Sequence, residues 1–593
     1  MCGIAGILNG NKHSQTVLNK MLDSIKHRGP DDWGVLCDDN NHVYLGSRRL
    51  SILDLSSKGK MPMFNADRSV AVCQNGEIYN YPQLKRELSS YGYTFVSNSD
   101  TEAILHGYEK WGAGVFAKLQ GMFAVSIYDP KQKRVFLARD RIGIKPLYYL
   151  KHKNSIYFSS EVKSFGEIED FSLVNNLDLE RIHRLLGLMF FPDNNQTIIR
   201  EVNKLPPAHY MEVSLPDLKI KIDRYWDLSK VQENKGITFE QATNKLHELL
   251  KETVEAHLMS DVPLGIMLSG GLDSSLISAM VKKGAQEEVL TFNARFSHKF
   301  NESEYAQKAA KHLKTTHQEI FIDFSNINKE IEKYIRYYDD LSTLDGGLIT
   351  TQILCQEVKK KGVTVLLLGE GADELFGGYS WFGLSQLPFS LLPRAFQGAL
   401  YYYAISRNVT LEPTFYYRQW PKIYQENYND DVFRNVSNTE LLVQLPNHLL
   451  MKVDKGSMMA SVEARVPYLD HKVVEYVSSL PRRYKLKGDF YSMGAINEKY
   501  ILRQVARKYL PQYICNRKKR GFMLSMEDVL YSDIDKVKDY IMSEDSISKK
   551  LLSVKVLEGL FKNTNVKILR MQKEYLLWRL FLLEVWKKVY AKK

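Results

Sequence analysis

The chain has 593 residues, a length that corresponds to about three or four domains of typical size or to two large ones. Hydrophobic residues make up 44% and charged residues 25%, a balance that excludes a disordered or collagen-like chain. Lysine and arginine exceed aspartate and glutamate by 81 to 69. The net charge of +12 is a mild bias that permits an anionic partner without requiring one.

Five cysteines are scattered along the chain without a Cys-x-x-Cys pair: Cys2, Cys37, Cys73, Cys355 and Cys515. This usage is typical of a reducing compartment and argues against a disulfide framework and against a zinc site. The N-terminus lacks the pattern of a secretory signal, and no later stretch reaches the roughly 20 apolar residues of a spanning helix. We therefore expect a cytoplasmic protein without a membrane partner.

The first 165 or so residues predict short strands mixed with helices, which is an α+β order. The predicted strands are Cys2–Leu8, 70–73, 122–128 and 134–138, and the predicted helices are 83–91 and 101–111. Asp129 and Pro130 mark the turn of a hairpin between the last two strands.

Cys2 is the first residue with a candidate chemical role. Removal of Met1 leaves a cysteine whose thiol and free α-amino group share one residue, and an amine with a pKa of about 7.7–8.0 can act as general base. Taken alone, an incidental cysteine at position 2 is the simpler interpretation.

A second candidate cluster follows the apolar run 70–73. Asn75, Gly76 and Glu77 at the end of a strand present a side-chain amide, a bare backbone N–H and a carboxylate. These groups can form an oxyanion hole and bind a substrate ammonium. By itself, Asn-Gly more often marks a hairpin turn, and Arg49 alone more often lies on a surface.

Six motifs occur together in one order: CGIAGI, HRGPDD, RRLSILD, NGEIYN, SDTEAIL and GMFAVSIYD. The N-terminal third thereby resembles the glutaminase domain of class II glutamine amidotransferases, which are N-terminal-nucleophile hydrolases with a four-layer αββα sandwich. The resemblance implies that Cys2 is the nucleophile and that Asn75 and Gly76 stabilise the oxyanion. It also implies that Arg49 binds the carboxylate of glutamine and that Glu77 and Asp100 bind its α-amino group.

Residues 166–235 read as irregular, because several prolines mark turns there. We expect a glutaminase domain at 1–210 and a linker at 211–235.

From Gly236 onward, apolar strands alternate with amphipathic helices. The predicted strands are 264–268, 289–294, 318–322 and 363–368, and the predicted helices are Phe239–His257, 274–283, 302–313, 327–337 and 349–361. This order predicts a doubly wound parallel sheet, followed beyond Tyr379 by a helical extension. The second domain is expected to span 236–593.

A glycine- and serine-rich loop follows the first of these strands. It contains Ser269, Gly270, Gly271, Asp273, Ser274 and Ser275. Backbone N–H groups at the start of a helix bind anions, and the Gly-Lys-Ser/Thr of a Walker A loop is absent. The loop resembles the pyrophosphate-binding loop of enzymes that split ATP between its α and β phosphates. An ordinary strand-to-helix turn is the alternative.

The motif GEGADELFGGY closes the last predicted strand. Because ligands bind at the carboxyl ends of parallel strands, we expect this loop to face the first one. Asp273 and Asp373 can then share one Mg²⁺ on the pyrophosphate. A solvated acidic loop is the alternative.

Two further motifs, VEARVPYLD at 462–470 and RKKRGF at 517–522, complete a pattern. Together with the two loops they resemble the synthetase domain of the glutamine-hydrolysing asparagine synthetase family. The resemblance implies that ATP and Mg²⁺ are required and that Glu370 acts at the adenylate step. The nucleotide site would include Leu268, Ala294, Leu368 and Gly369, with Lys519 on the pyrophosphate and Lys455 nearby.

The segment 340–347 departs from the family pattern, because it lacks the arginine that serves the acceptor aspartate. Aspartate is our first choice of acceptor, and diaminopimelate of peptidoglycan precursors or a uronic-acid sugar is the alternative. A tRNA-modifying ATP pyrophosphatase and an inactive paralogue are weighed as other classes. The complete glutaminase motifs argue against both, so we expect small-molecule substrates and no nucleic acid, and leave a homodimer open.

Overall fold

The computed structural model describes most of the chain and contains three sheets. The described residues are 2–188, 190–191, 193–285, 288–296, 302–323, 327–341, 344, 346–385, 389–405, 431–488, 498–517, 526–562 and 567–591. Two six-stranded antiparallel sheets lie in the N-terminal part, and a five-stranded parallel sheet follows.

The first antiparallel sheet is built around the N-terminal strand. Its strands are β1 Cys2–Leu8, β2 Asp32–Asp38, β3 Val43–Arg49, β8 Tyr148–His152, β9 Ser155–Ser159 and β10 Val202–Lys204. Their order is β10-β8-β9-β1-β3-β2. β1 is buried along its whole length, and its pairing with β3 places Cys2 opposite Arg49.

The second antiparallel sheet contains the predicted hairpin. Its strands are β4 Met63–Phe64, β5 Ala71–Ile78, β6 Gly121–Asp129, β7 Arg134–Arg139, β11 His209–Ser214 and β12 Ile220–Arg224. The order is β12-β11-β7-β6-β5-β4. β6 and β7 pair directly, with Asp129 opposite Arg134, which confirms the turn at Asp129.

The side chains of β1 alternate between two cores, as the period of a strand requires. Ile4 and Leu8 join an apolar cluster with the second sheet, whereas Ile7 packs in the cluster on the other side. Three helices form the outer layers: Ser14–Ser24 on the first sheet, and Tyr81–Ser90 and Asp100–Trp111 on the second. The four-layer αββα sandwich is therefore confirmed.

The segment 166–235 is more regular than we expected. It contains the helix Leu179–Leu188 and the strands β10, β11 and β12. The expected linker at 211–235 begins inside β11 and includes β12, both of which belong to the second sheet. These strands are short, and β11 buries only Met211 and Val213, so their hydrophobic pattern is too brief to read from the sequence.

The third sheet is parallel, as the alternating pattern predicted. Its strands are β13 Leu264–Met267, β14 Leu290–Phe296, β15 Thr316–Ile322, β16 Val365–Leu367 and β17 Glu463–Arg465. Their order is β15-β14-β13-β16-β17. Leu366 faces one apolar cluster, and Val365 and Leu367 face another, so both faces of the sheet are covered. The doubly wound architecture is confirmed.

The helices that accompany the parallel sheet match the predicted positions. They are Phe239–His257, Leu272–Gly284, Ser303–Leu313, Ile327–Ile335 and Gly347–Lys360. Phe239–His257 begins with a capping box, in which the Thr238 and Gln241 side chains satisfy each other's backbone N–H groups.

The rest of the chain is mainly helical, apart from β17. The longer described helices are Arg394–Ile405, Val432–Thr439, Leu450–Met458, His471–Ser479, Ile534–Ile541 and Lys567–Ala591, with a π-helical turn at Glu440–Leu449. The helical extension is thus confirmed. Within the described part of the chain, every helix is too short or too polar to cross a membrane.

Candidate active sites

Cys2 lies at the first position of β1 and is almost completely buried. Its backbone nitrogen donates a hydrogen bond to Asn75 Oδ1 at 3.1 Å. Burial raises the pKa of the Cys2 thiol, so the resting side chain is protonated and needs a base before it can attack. The register of the first sheet and the end of β5 therefore bring the predicted nucleophile to the predicted oxyanion hole.

Asn75 presents a donor without a partner among the described residues, and Gly76 lies beside it, at the position where we expect the oxyanion hole. Asn75 Oδ1 accepts from Cys2, and among the described residues its buried Nδ2 has no hydrogen-bond partner. A buried donor without a partner is costly, and a developing negative charge can satisfy it. Gly76 has a φ of +152°, and a Cβ there would lie 2.0 Å from the Met122 carbonyl oxygen. Only glycine fits between β5 and β6 at this point.

Glu77 and Asp100 form the acidic side of the same site. Asp100 accepts hydrogen bonds from Gln74 Nε2 at 2.7 Å and from Ile78 N at 2.8 Å. Burial raises the pKa of both carboxyl groups, and the charge of Asp100 raises the pKa of Glu77 further. A bound ammonium would counter both effects, which is the task that the resemblance implies for these residues.

Arg49 lies opposite Cys2, but its guanidinium is already engaged. Nη1 donates to the Ser56 carbonyl at 3.1 Å, and Nη2 donates to the Leu53 carbonyl at 3.1 Å and to that of Asp54. Arg49 therefore holds the loop at 53–56 next to the nucleophile. Binding of a substrate carboxylate by Arg49 would use its remaining N–H groups.

The two predicted ATP loops lie side by side. β13 pairs with β16, so the loops that follow these two strands emerge next to each other. A Cβ on Gly369 would lie 3.1 Å from Ser274 N, which shows how closely the loops approach. Gly270 has a φ of +70° and faces the backbone of Tyr305, and no larger residue fits there. The expectation that the loops face each other is confirmed.

Hydrogen bonds within the first loop organise its hydroxyl groups. Ser269 Oγ lies 3.0 Å from Ser274 Oγ and accepts from Gly271 N at 3.3 Å. Ser275 is buried in the first turn of the helix Leu272–Gly284. The remaining nucleotide-site candidates lie on or directly after strands of the parallel sheet. Leu268 and Leu368 directly follow β13 and β16, and Ala294 lies within β14.

Asp273 and Asp373 converge on one cation, Lys499. Lys499 Nζ lies 2.6 Å from Asp273 Oδ2 and 2.7 Å from Asp373 Oδ1, in a buried position. Burial alone would lower the pKa of Lys499, but these two carboxylates raise it above its usual value. Because Mg²⁺ prefers oxygen ligands and takes only one or two carboxylates beside phosphates, this pair fits the predicted metal.

Lys499 itself was missed by the sequence analysis. It precedes the helix Tyr500–Ala506 and has a left-handed φ of +55°. The sequence shows a polar run, Asn497 to Lys499, before an apolar helix, and this pattern marks a helix start. It does not indicate contact with residues more than a hundred positions away. Glu370, the predicted catalytic acid, is partly exposed in the second loop.

Lys455 lies at the boundary between the N-terminal sandwich and the parallel-sheet unit. Its ammonium contacts Asp339 and also Asp340 Oδ1, at 2.5 Å from the latter. The Tyr148 hydroxyl of β8 donates to Asp340 Oδ2 at 2.6 Å. Among the described residues, Lys455 thus contacts these two carboxylates rather than the ATP loops. Its charge is already compensated by two acids.

Lys519 and the acceptor-segment residues Ser342, Thr343 and Asp345 lie outside the described residues. The basic motif nevertheless begins close to the first ATP loop. Arg517 Nη1 donates to the Ser269 carbonyl at 3.2 Å, and its guanidinium lies 4.0 Å from the centre of the Tyr305 ring.

Arg28, from the motif HRGPDD, is a second residue without a predicted role. It is fully buried, donates to the Cys2 carbonyl at 3.2 Å and pairs with Glu161 at 2.9 Å. It also lies 2.9 Å from Asp454 of the parallel-sheet unit. One side chain therefore links the nucleophile strand to the second unit.

Comparisons with known proteins agree with this arrangement. A family model described as asparagine synthase matches residues 245–588, and one described as a glutamine amidotransferase domain matches residues 1–226. An asparagine synthetase [glutamine-hydrolyzing] 1 of Bacillus subtilis is 31% identical over 90% of this chain and 89% of its own length. The amidase chry2 of Gibberella zeae is 27% identical over 88% and 89%.

One solved structure covers a smaller part. The glutamine phosphoribosylpyrophosphate amidotransferase of B. subtilis is 14% identical, covers 56% of this chain and 92% of its own, and has a TM-score of 0.31. The asparagine synthase model alone spans more than half of the chain, and the amidotransferase model spans the αββα sandwich. This chain belongs to the glutamine-hydrolysing asparagine synthetase family of ATP-using enzymes.

Proposed function

We propose that this enzyme hydrolyses glutamine at Cys2 and uses the ammonia to convert an ATP-activated carboxylate to an amide. Aspartate is the acceptor of first choice. The observation that carries the proposal is the convergence of Asp273 and Asp373 on one buried cation, in a chain that also places Cys2 beside Asn75, whose Nδ2 has no partner among the described residues. A nucleophile site and a separate nucleotide site then divide the reaction between them.

In the glutamine site, the Cys2 thiol attacks the side-chain amide of glutamine. The α-amino group left by removal of Met1 takes the thiol proton, and Asn75 Nδ2 with the Gly76 N–H stabilises the oxyanion. The C–N bond then breaks, and ammonia leaves with a proton. Water hydrolyses the resulting thioester to glutamate. Glu77 and Asp100 hold the substrate's ammonium, and the free N–H groups of Arg49 bind its carboxylate.

In the ATP site, the N-terminus of the helix Leu272–Gly284 and the hydroxyl groups of Ser269 and Ser274 bind the pyrophosphate portion. Asp273 and Asp373 would hold Mg²⁺, which neutralises phosphate charge when bound. Lys499 supplies a positive charge at the same place. The acceptor carboxylate attacks the α-phosphate and displaces pyrophosphate, and Glu370 orients a reactant or accepts a proton at this adenylate step. Ammonia then displaces AMP from the acyl-adenylate.

The acceptor is proposed from two opposing observations. Similarity to an asparagine synthetase over nearly the whole chain favours aspartate. Against it, the segment 340–347 has no arginine, and Lys455 is neutralised by Asp339 and Asp340. An aspartate α-carboxylate therefore needs another cation, since an unpaired buried carboxylate is costly. A larger acceptor such as a diaminopimelate-containing peptide or a nucleotide-linked uronic acid is the second candidate.

The deciding experiment measures kcat/KM for each acceptor at fixed ATP and glutamine, by release of AMP and pyrophosphate. An aspartate value above those of the two larger acceptors supports the first choice, and a value far below either of them replaces it. Release of AMP from none of the acceptors would contradict the amidation reaction itself. Filter binding of tRNA at moderate salt tests the alternative of a tRNA-modifying ATP pyrophosphatase. Tight binding that weakens steeply as the salt concentration rises is expected only of a tRNA enzyme.

A further inference from the structure

The motif VEARVPYLD has a role in the structure that the proposed reaction has not used. Residues 463–470, here called the bridging segment, contain β17 and the turn that follows it. The segment contacts the glutamine site at one end and the ATP loops in its middle. Every contact described below is within the described part of the chain.

At its first end, the bridging segment places an arginine in the glutamine site. Arg465 is fully buried and donates through Nη2 to Glu77 Oε2 at 3.3 Å. Its Nε donates to Glu463 at 2.6 Å, and Nη1 donates to the His257 and Met259 carbonyls at 2.6 and 2.7 Å. These bonds fix the guanidinium plane rigidly. The other oxygen of Glu77, Oε1, is buried without a partner among the described residues and is available for an ammonium.

Two charges of the segment act in opposite directions on the pKa of Glu77. Burial alone would raise the pKa of Glu463, but the positive charge of the chain's amino terminus, followed by those of Arg465 and Lys145, outweighs burial and lowers that pKa to about 2. Burial raises the pKa of Glu77, the charges of Asp100 and Glu463 raise it further, and the charge of Arg465 opposes this rise. Arg465 therefore helps to keep Glu77 ionised, and an ionised Glu77 is what a glutamine ammonium requires.

The middle of the bridging segment supports both ATP loops. The backbone carbonyl of Arg465 accepts from Leu368 N at 2.8 Å, at the start of the second loop. The Tyr468 hydroxyl donates to the Asp273 carbonyl of the first loop at 3.1 Å. Leu469 packs so closely on Gly371 that a Cβ there would lie 2.3 Å from Leu469 Cδ2.

The far end returns to the N-terminal unit. Asp470 accepts a hydrogen bond from Gln120 Nε2 at 2.7 Å, directly before β6. The eight residues thus make polar contacts with the glutaminase unit at both ends and touch both ATP loops between them. Since the segment is buried and close-packed, a shift at one end displaces the other contacts instead of being absorbed by solvent.

We propose that the bridging segment couples the two active sites, with Arg465 as the positioning residue for Glu77 and Tyr468 as its contact to the Asp273 loop. The inference rests on the proposed function, because it assigns glutamine binding to Glu77 and ATP binding to Asp273. It adds the prediction that glutamine hydrolysis and AMP formation become separable when the segment is altered.

The first test is Arg465→Lys, which keeps the charge and loses the planar fork. We expect the KM for glutamine in the glutaminase reaction alone to rise about tenfold, with kcat within about threefold, because substrate ammonium binding is weakened rather than the nucleophile. Ammonium-driven pyrophosphate release should stay within about threefold of wild type. An unchanged KM for glutamine, or an equal loss of both activities, would overturn the positioning role.

The second test is Tyr468→Phe, which removes one hydroxyl and is the milder variant if Arg465→Lys fails to fold. We expect unchanged glutaminase kinetics but a ratio of glutamate to AMP at least about threefold above that of wild type, at saturating ATP and the best acceptor of the panel. The matched control is Tyr476→Phe, whose hydroxyl also donates to a backbone carbonyl at 3.1 Å, that of Ala242, outside the segment.

The two tests separate this inference from the proposed function. A wild-type enzyme that forms no AMP with any acceptor refutes the proposed function, whereas the Arg465→Lys measurement needs no ATP. The coupling role is overturned if the wild-type enzyme forms AMP normally and Tyr468→Phe and Tyr476→Phe give the same glutamate-to-AMP ratio. That result leaves the proposed function intact.

Discussion

The two candidate active sites are built by different means. In the glutamine site, β-sheet register places the essential groups: Cys2 begins β1, Arg49 lies opposite it on β3, and Asn75 is buried within β5. In the ATP site, loops after parallel strands bring together Asp273, Asp373 and Lys499 from three distant parts of the chain. Most groups of the first site are placed by strands, whereas the second site depends on contacts between loops that lie far apart in the chain.

The strongest way to separate the sites is Cys2→Ala. Glutamine hydrolysis should fall by roughly 10³-fold or more, because the nucleophile is lost and no other thiol occupies its place. Amidation driven by ammonium ions should persist, since the ATP loops are untouched. Glutamate release and pyrophosphate release, measured in parallel, check both expectations.

Two results would contradict this assignment. One is glutamine-dependent amide formation by Cys2→Ala at the wild-type rate. The other is a mass spectrum of fully active enzyme that still begins with Met1, because the proposed base is the amino group of Cys2. Cys37→Ala is the matched control, since Cys37 is exposed on β2 and its loss should change neither activity.

The converse variants are Asp273→Asn and Glu370→Ala. Each should lower acceptor-dependent exchange between labelled pyrophosphate and ATP by roughly 10² to 10³-fold, because a preorganised charge at the phosphates is lost. Glutamine hydrolysis measured without ATP should remain. Asp545→Asn, which alters an exposed carboxylate far along the chain, serves as the control. Near-normal exchange in either active-site variant would show that the ATP chemistry lies elsewhere.

The sequence predicted the register-built site better than the loop-built one. Cys2, Asn75, Gly76, Glu77 and Asp100 all lie together as expected, because strand alternation and short motifs determine their positions. The parallel sheet was also predicted, except for β17. That strand has only three residues, and two of them are charged. Arg465 pairs with Glu463 and with Glu77, so both charges can be buried. A strand with buried charges of this kind shows no hydrophobic pattern in the sequence.

The remaining differences have the same origin. Lys499 meets its carboxylates across more than a hundred residues, a distance at which local periodicity carries no information. Lys455, which we expected near the active site, has its ammonium held by Asp339 and Asp340, two contacts that no local pattern predicts, and its role stays a prediction. The strands β10, β11 and β12 are too short for their alternation to stand out among the neighbouring prolines.

A third prediction sharpens the account of the ATP site. Lys499→Met removes the cation that Asp273 and Asp373 share, and loss of one partner from a buried ionic cluster typically costs about 3–5 kcal/mol. We expect a lower thermal midpoint for this variant. Addition of Mg²⁺ should raise that midpoint more than it raises the wild-type midpoint, because the metal can occupy the position of the missing ammonium.

Lys487→Met is the control, because Lys487 Nζ is exposed and donates to the Tyr500 hydroxyl, at 3.3 Å, instead of to an active-site carboxylate. Its thermal midpoint should respond to Mg²⁺ as the wild type does. Equal responses of Lys499→Met and Lys487→Met would show that the carboxylate pair does not bind Mg²⁺.

The smallest expected effect concerns the boundary between the two sites. His257 is buried at the end of the helix Phe239–His257, where its ring stacks on Tyr79 at 3.7 Å and its Nδ1 lies 2.8 Å from the Thr253 carbonyl. Burial lowers the pKa of His257 to about 3. The unfolded chain binds a proton near pH 6.5, whereas the folded chain does not until the pH approaches 3.

The sign of the pH dependence follows from this difference. His257 contributes stability that is present above pH 6.5 and is lost progressively as the pH falls toward 3. The raised pKa values of Glu77 and Asp100 act in the opposite direction over part of this range, so the wild-type profile alone is ambiguous.

His257→Phe keeps an aromatic ring on Tyr79 and removes the titrating group, while both carboxyl groups remain. We expect its thermal midpoint to fall less steeply than that of wild type between pH 6.5 and 4, although the midpoint at pH 7.5 is lower because the bond to Thr253 is lost. Parallel profiles for the two proteins would show that His257 accepts its proton without unfolding, and that the boundary between the sites is more open to water than its buried contacts imply.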